Sequence, residues 1–261
     1  MLNLTQKNQT IQKNEQVKNI YKSVILTPKL KNQILSKALS KVQSISRLDN
    51  QINLEFIEQG PESIDSRFDV MRASPYILKS AKRVEKDGNR SLIINNMTDP
   101  ALDATREILD IPVLGIANTV LHFASLLAIK FSIIVPEKRT ISIIKELINL
   151  YGFQDKVTSI RSIDQIINPK ELSIDNSENE LYKAMKKLIK TDGAEAIIFD
   201  YYVSLRFLKN GGSEELLCKK DILILDPLVT TVKLCEVLVD LNLLHSKFRY
   251  ANPPSKVIKG F

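Results

Sequence analysis

Short apolar runs alternate with stretches of helical spacing from residue 21 onward. The apolar runs lie at residues 23–26, 52–57, 92–95, 113–116, 131–135, 156–160, 196–199 and 222–225. Between them, apolar residues recur every three or four positions, as on one face of a helix. Strands that alternate with helices form a parallel sheet with helices packed on its faces. The pattern therefore predicts an α/β fold.

The helical stretches have recognisable ends. They are predicted at residues 30–45, 63–86, 100–109, 118–130, 139–151, 177–191, 205 onward and 231–243. Pro100 would stand in the first turn of its helix, where a missing N–H costs nothing. Ser74-Pro75 offers either a break in the second helix or a new start. Gly152 and Gly193 follow the ends of two others, as C-terminal glycines do.

The pattern around Ile93 recurs around Ile197, about one lobe later. Eight strands could close a barrel, but this recurrence favours two similar α/β lobes with a crevice between them. We expect a loosely packed extension at 1–20, a first lobe from 21–112 plus 222–261, and a second lobe from 113–221. The apolar runs around Ile93 and Ile197 both end abruptly in polar residues. Because ligands of open parallel sheets bind at the carboxyl ends of the strands, we expect the binding site at these two strand ends.

Composition narrows the class of protein. The hydrophobic share of 44% can build a core, and the net charge is +7. Lysines alternate with acids along the helices, without aromatic residues between them, so no nucleic-acid partner is expected. The apolar stretches are too short to span a bilayer and the first twenty residues lack a secretory pattern, which favours a cytoplasmic protein without a membrane partner.

Two cysteines, Cys218 and Cys235, are too few for a disulfide framework in 261 residues. Cys235 lies in an apolar helical pattern and is expected to pack as a small hydrophobic residue. Cys218 is expected to close a helix. The sequence shows neither metal-ligand spacing nor a glycine-rich phosphate loop. We therefore expect no metal and no cofactor.

Six segments along the chain form a set whose order and spacing are specific. They are Gly60-Pro61-Glu62-Ser63-Ile64-Asp65, Asp99-Pro100-Ala101-Leu102-Asp103-Ala104, Ile111-Pro112-Val113-Leu114-Gly115-Ile116, His122-Phe123-Ala124-Ser125-Leu126-Leu127, Asp192-Gly193-Ala194-Glu195 and Leu225-Asp226-Pro227. Together they resemble the hydantoin racemases of the aspartate/glutamate/hydantoin racemase superfamily, in which a Gly-Pro-x-Ser-Ile-Glu segment corresponds to the first. The resemblance covers about residues 21–254. It implies two pseudosymmetric lobes and chemistry without a cofactor.

The resemblance also implies two cysteines, one at a strand end of each lobe, that remove and return the proton on the substrate carbon. The matching positions here are Asn96 and Tyr201. A carboxamide does not titrate near neutrality, and a phenol has an ordinary pKa of about 10. Racemisation by two thiols is therefore not expected. The loop after Tyr201 is also bulkier than in the family, with Tyr202 in place of a small residue.

The remaining polar groups are the candidates for chemistry. Candidate catalytic residues are Tyr201, Asn96 and Asp99, and candidate binding residues are Thr27, Thr98, Asn118, His122, Tyr202 and Ser63. Tyr201 could transfer a proton or simply fill the pocket. Thr98 could bind a carboxylate or cap a helix, and Asp99 could be an acid/base or neutralise a helix dipole. For His122, four positions after Asn118 on one helix face, a structural role is favoured over a chemical one.

Three functions remain open at this point. The first is an enzyme that acts on a small carboxylate or cyclic amide by acid/base chemistry without thiols, as an isomerase, lyase or cyclase. The second is a non-catalytic descendant that binds a metabolite or a protein. The third is racemisation with substituted bases, in which the pKa of Tyr201 would have to fall by several units. The resemblance is also compatible with a homo-oligomer.

Overall fold

The computed structural model describes residues 21–27, 40, 42–47, 50–163, 177–200, 203 and 222–254. Within this part of the chain, every helix is too short or too polar to cross a membrane. The described strands form two four-stranded sheets. Helices flank both sheets, which confirms the α/β fold that the alternation of strand and helix predicts.

The first sheet is parallel throughout, in the order β2-β1-β3-β4. Its strands are β1 (Tyr21–Thr27), β2 (Asn50–Phe56), β3 (Ser91–Ile94) and β4 (Val113–Gly115). Every residue of β3 and β4 is buried. Such continuous burial is typical of parallel strands covered on both faces, and explains why β3 is a short apolar run without alternation.

The second sheet repeats this arrangement in the order β6-β5-β7-β8, again with parallel pairs only. Its strands are β5 (Phe131–Val135), β6 (Val157–Ser162), β7 (Ala196–Phe199) and β8 (Leu223–Leu225). Each sheet therefore has its first strand flanked by its second and third, with the fourth outside. The recurrence between Ile93 and Ile197 reflects this common topology, since they belong to the equivalent strands β3 and β7.

The described helices follow the strands in chain order. They are α1 (Arg67–Lys86), α2 (Leu102–Ile108), α3 (Ile116–Leu127), α4 (Ile141–Tyr151), α5 (Ser177–Asp192) and α6 (Pro227–Asp240). Gly152 ends α4 in the left-handed conformation, with φ 79, as predicted. The helix predicted from residue 205 and most of the one predicted at 30–45 lie outside the described residues.

Three predicted helix details were wrong. Pro75 neither breaks nor restarts α1, which runs through it. The N–H that Pro75 lacks would have bonded the carbonyl of Met71, a residue that is 72% exposed. Helix α2 begins after Pro100, because Ala101 has a left-handed φ of 58. Helix α6 begins four residues earlier than predicted, because Asp226 caps its first N–H groups.

An apolar cluster joins the two sheets. It includes Ile93 of β3, Ile133 of β5, Val120 of α3 and Val232 of α6. Cys235 of α6 belongs to the same cluster and is 1% exposed, as expected for a small hydrophobic residue. Because burial of apolar surface on both sheets contributes to one core, the lobes are expected to unfold together.

Sheet pairing places two strands differently from the expected lobe boundaries. Val113–Gly115, expected in the second lobe, pairs with β3 in the first sheet. Leu223–Leu225, expected in the first lobe, pairs with β7 in the second sheet. The following helix α6 packs against β3 and α3. The chain thus returns to the first lobe only after β8.

Candidate active site

The segment that follows β3 is buried although most of it is polar. Asn95 is 0% exposed and Asn96 4%, and Thr98 and Asp99 are also buried. They stand at the carboxyl end of a parallel strand, where open α/β sheets bind their ligands. Three of the sequence-predicted site residues therefore lie together in one buried loop.

Asn96 and Thr98 are joined by a local pair of hydrogen bonds. The Thr98 backbone N–H and hydroxyl both donate to Asn96 Oδ1, at 2.9 and 2.7 Å. These bonds fix which end of the carboxamide is which, because a nitrogen could not accept them. The Nδ2 group of Asn96 is therefore the end left for another partner. The Thr98 hydroxyl thus bonds to Asn96. The N-cap residue of α2 is Ala101, which makes no side-chain capping bond, so the capping alternative for Thr98 is not observed.

Asp99 caps α3, the helix after β4, and not the helix that follows it in sequence. Its Oδ1 accepts from the Ala117 N–H at 3.1 Å, and its Oδ2 accepts from the Asn118 N–H at 2.7 Å. A negative charge at these positions also stabilises the positive end of the helix dipole. The φ of Asp99 is 43, in the left-handed region. This strained backbone aims the carboxylate at α3, and the contacts favour the dipole-neutralising role.

The surroundings of Asp99 shift two pKa values. Burial raises the pKa of Asp99 to about 6, although its hydrogen bonds and Arg106 favour the anion. Tyr151 donates its hydroxyl hydrogen to Asp99 Oδ2 at 2.9 Å. Burial and the neighbouring carboxylate raise the pKa of Tyr151 well above its ordinary range. Tyr151 therefore remains protonated and acts as a donor.

Arg106 supports the same region from α2. Its Nε donates to the Val113 carbonyl at 3.1 Å and its Nη2 to Asn118 Oδ1 at 3.4 Å. Its Nη1 donates to the hydroxyl of Tyr250 at 3.1 Å. The side chain of Asn118 is therefore held by Arg106, while its backbone N–H is held by Asp99.

His122 and Ser63 lie at more open positions. The His122 Nδ1 donates to the Asn118 carbonyl at 2.7 Å, and its ring stands edge-on to Phe153 at 4.9 Å between centroids. Ser63 is exposed and donates to the carboxylate of Asp65. The contacts of His122 favour the structural role. Both residues remain predicted binding residues.

The second strand end is described up to Asp200. This residue is buried, and its N–H donates to the Ile134 carbonyl at 2.8 Å. Tyr201 and Tyr202, which follow it, lie outside the described residues. Thr27 ends β1 beside β3, but its side chain also lies outside the described part of the chain.

Three further residues belong to this region but are not among the predicted site residues. Tyr151 and Arg106 come from other elements, and the sequence contains no local sign of their contact with the loop. Asn95 could have been found, because it is a polar residue directly after an apolar strand. Across the described ranges, no three His, Cys, Asp or Glu side chains cluster in a way that could hold a metal ion.

Comparisons with known proteins agree with this architecture. A family model described as Asp/Glu/Hydantoin racemase matches residues 33–199. A hydantoin racemase of Pseudomonas sp. strain NS671 is 30% identical over 214 residues, which cover 82% of this chain and 84% of the relative.

Two solved structures share the fold. An allantoin racemase from Klebsiella pneumoniae superposes with a TM-score of 0.78 at 23% identity, covering 92% of this chain and 96% of the other. An allantoin racemase from Pseudomonas fluorescens superposes with a TM-score of 0.74 at 20% identity, covering 91% and 99%. The matched family model covers well over half of the sequence. The chain belongs to the Asp/Glu/hydantoin racemase family, a family of racemase-type enzymes.

Proposed function

We propose that this protein is a cofactor-independent enzyme that transfers a proton at the carbon beside a carbonyl group in a small cyclic amide or carboxylate. Its acid/base groups are not a pair of thiols. Family membership supports the racemase-type reaction, and the similarity to hydantoin and allantoin racemases supports a small cyclic amide as substrate. The product would be the opposite enantiomer or an isomer.

The state of Asn96 is the observation that carries the proposal. Its Oδ1 is occupied by the two Thr98 donors, so Nδ2 is the group it presents at the strand end. When a proton leaves the carbon beside a carbonyl, negative charge develops on the carbonyl oxygen. A fixed N–H donor in a water-poor site stabilises that charge. Asn96 would therefore donate a hydrogen bond to the oxyanion of the transition state. It would do so at the position where the family is expected to have a cysteine that acts as the base.

The cysteines of this chain support chemistry without a thiol pair. Burial raises the pKa of Cys235 to about 12, and the side chain lies in the apolar core beside Ser91. A thiol with such a pKa supplies almost no thiolate near neutrality. The other cysteine, Cys218, lies outside the described residues. A pair of opposed thiols would need both cysteines. Because Cys235 supplies almost no thiolate, at least one proton-transfer group must be something other than a thiol.

Tyr201 is proposed as that acid/base group. It follows β7 by two positions, as Asn96 follows β3, and the two strands are equivalent in their sheets. Asp99 would hold α3 in place, and Thr98 would orient Asn96. Thr27, Asn118, His122, Tyr202 and Ser63 would contribute to binding. As its phenolate, Tyr201 would remove the proton and leave an enolate. Water would return a proton to the opposite face of this enolate, and the phenol would then lose its proton to solvent.

Proton exchange in heavy water tests this function. Single enantiomers of 5-methylhydantoin, allantoin and glutamate are incubated with the protein, and deuterium at the carbon beside the carbonyl is followed by NMR. We expect exchange with at least one cyclic amide. Tyr201→Phe should lower the rate by about 10²–10⁴-fold. Tyr76→Phe, which removes a hydroxyl from α1, is the matched control and should keep the rate.

Two results would contradict the proposal. Unchanged exchange in Tyr201→Phe would remove this tyrosine from the mechanism. Ligand-induced thermal stabilisation without exchange or product from any of the three compounds would favour the non-catalytic alternative.

A further inference from the structure

Asn95 is a completely buried amide whose two ends both lack a partner in the described part of the chain. It is 0% exposed, and neither its Nδ2 nor its Oδ1 finds a hydrogen-bond partner among the described residues. Its neighbour Asn96 is different, because Asn96 Oδ1 accepts two hydrogen bonds from Thr98. Burying an amide without partners is unfavourable, so such a residue is usually retained for a reason other than stability.

The sheet register places Asn95 at the ligand-binding edge. Ile94 pairs with Leu26 of β1 and with Gly115 of β4. Asn95, one position later, therefore stands between the ends of two neighbouring strands and close to the start of α3. Open α/β sheets bind their ligands beyond the carboxyl ends of the strands. The amino end of the same strand is about four residues away and also has a buried asparagine, Asn89, nearby. Substitutions at Asn95 and Asn89 can therefore be compared.

Asn95 and Asn96 are the first two residues after β3, which ends at Ile94. A ligand beyond the end of β3 would therefore meet both amides. Both amides are covered, so ligand entry must be accompanied by local movement.

We propose that Asn95 is a substrate-binding residue that recognises an amide edge of the ligand. The proposal rests on the proposed function, since it assumes that the substrate binds at this strand end. A carboxamide offers one acceptor and two donors. An adjacent N–H and C=O of a ring amide satisfies both ends of Asn95 at once. A carboxylate would satisfy only Nδ2 and would leave Oδ1 without a donor.

Asn95→Leu separates binding from stability. The substitution keeps a similar size and removes the unsatisfied polar groups, so the free protein should melt about 2–4 °C higher. The KM for 5-methylhydantoin should rise at least tenfold, and the thermal stabilisation caused by this compound should disappear. Asn95→Ala is the second variant, because it removes the amide without asking a larger side chain to fit.

Asn89→Leu is the matched control at the amino end of β3. Asn89 is also buried with an unpartnered Oδ1, but its Nδ2 donates to the Val84 carbonyl at 2.8 Å. This variant should keep the wild-type KM. Its melting temperature should not rise as in Asn95→Leu, because a hydrogen bond is lost.

The outcomes distinguish this proposal from the proposed function. A KM within twofold of wild type in both Asn95 variants overturns the role of Asn95 and leaves the proposed function intact. Turnover of glutamate but of neither cyclic amide also overturns it, and so does a wild-type protein that binds neither cyclic amide. Binding of 5-methylhydantoin without turnover, lost in both variants, supports Asn95 while contradicting the proposed function.

Discussion

The hydroxyl of Tyr151 donates to Asp99 Oδ2 at 2.9 Å, and this bond connects the two halves of the molecule. Asp99 lies in the loop after β3 of the first sheet, whereas Tyr151 is the last residue of α4 beside the second sheet. The same carboxylate accepts from the first turn of α3. One side chain therefore fixes a loop and two helix ends relative to each other.

Tyr151→Phe should destabilise the protein by about 1–3 kcal/mol, the usual cost of losing a hydrogen bond to a buried charged group. The ring remains, so packing against the core changes little. Urea unfolding at neutral pH measures the difference. Tyr76→Phe is the control, since Tyr76 packs partly buried against the cluster around α1. Equal midpoints for the two variants would show that the bond to Asp99 contributes nothing.

The raised pKa of Asp99 predicts a loss of stability as the pH rises. Its pKa is 3.8 in the unfolded reference and about 6 in the folded protein. The folded protein binds the proton of Asp99 more tightly than the unfolded chain does. Protonation of Asp99 therefore stabilises the fold below pH 4, and this stabilisation is lost as the pH passes 6. The shift corresponds to about 3 kcal/mol.

The comparison with Asp99→Asn isolates this effect. The variant cannot titrate, and it is destabilised at every pH because an amide N–H would face the donors of α3. The stability difference between the two proteins should narrow by about 2.4 kcal/mol between pH 4 and 7, because only the wild type has to ionise a buried acid. Parallel pH profiles in urea unfolding would contradict the raised pKa.

Local signals account for what the sequence predicts well. The bounds of β5 and β7 were predicted to the residue, because each is a short, mostly apolar run with a charged residue or a proline at either end. The bond between Asn96 and Thr98 was not predicted, although it spans only two positions and polar side chains so close to a turn often pair locally.

The start of α2 and the capping role of Asp99 depend on distant parts of the chain. Asp99 contacts Ala117 eighteen positions later and Tyr151 fifty-two positions later. Those contacts hold the loop in a left-handed conformation that propensity does not favour. Periodicity carries no information about such pairs, so the sequence suggested a dipole role for Asp99 but not which helix it serves.

Gly115→Ala should destabilise the protein by about 2–4 kcal/mol through overpacking. A Cβ atom at this position would lie 2.8 Å from Leu102 Cδ2 and would collide with the carboxylate of Asp99. Its own φ is −94, so no backbone strain is involved. The control is Gly88→Ala, where no atom of the described residues lies within 4 Å of the new Cβ but φ is +76.

The two glycine variants should differ in the size and in the pH dependence of their loss of stability. Gly88→Ala should cost about 1 kcal/mol from its left-handed backbone alone. Gly115→Ala should additionally steepen the pH dependence described for Asp99, because a carboxylate pushed away from α3 loses the N–H donors that favour its anion. An equal and pH-independent cost in both variants would show that the space around Asp99 is not tightly packed.

Asn96→Ala should lower kcat by about 10²–10³-fold, the typical cost of removing one fixed oxyanion donor, with little change in KM. We expect kcat to fall and KM to stay nearly constant, because Nδ2 would interact most strongly with the charge that forms only in the transition state. Steady-state racemisation of 5-methylhydantoin, followed by circular dichroism, gives both constants. Asn53→Ala on the exposed side of β2 is the control. A variant with raised KM and unchanged kcat would make Asn96 a ground-state binding residue, and the oxyanion role would then have to pass to another donor at this strand end.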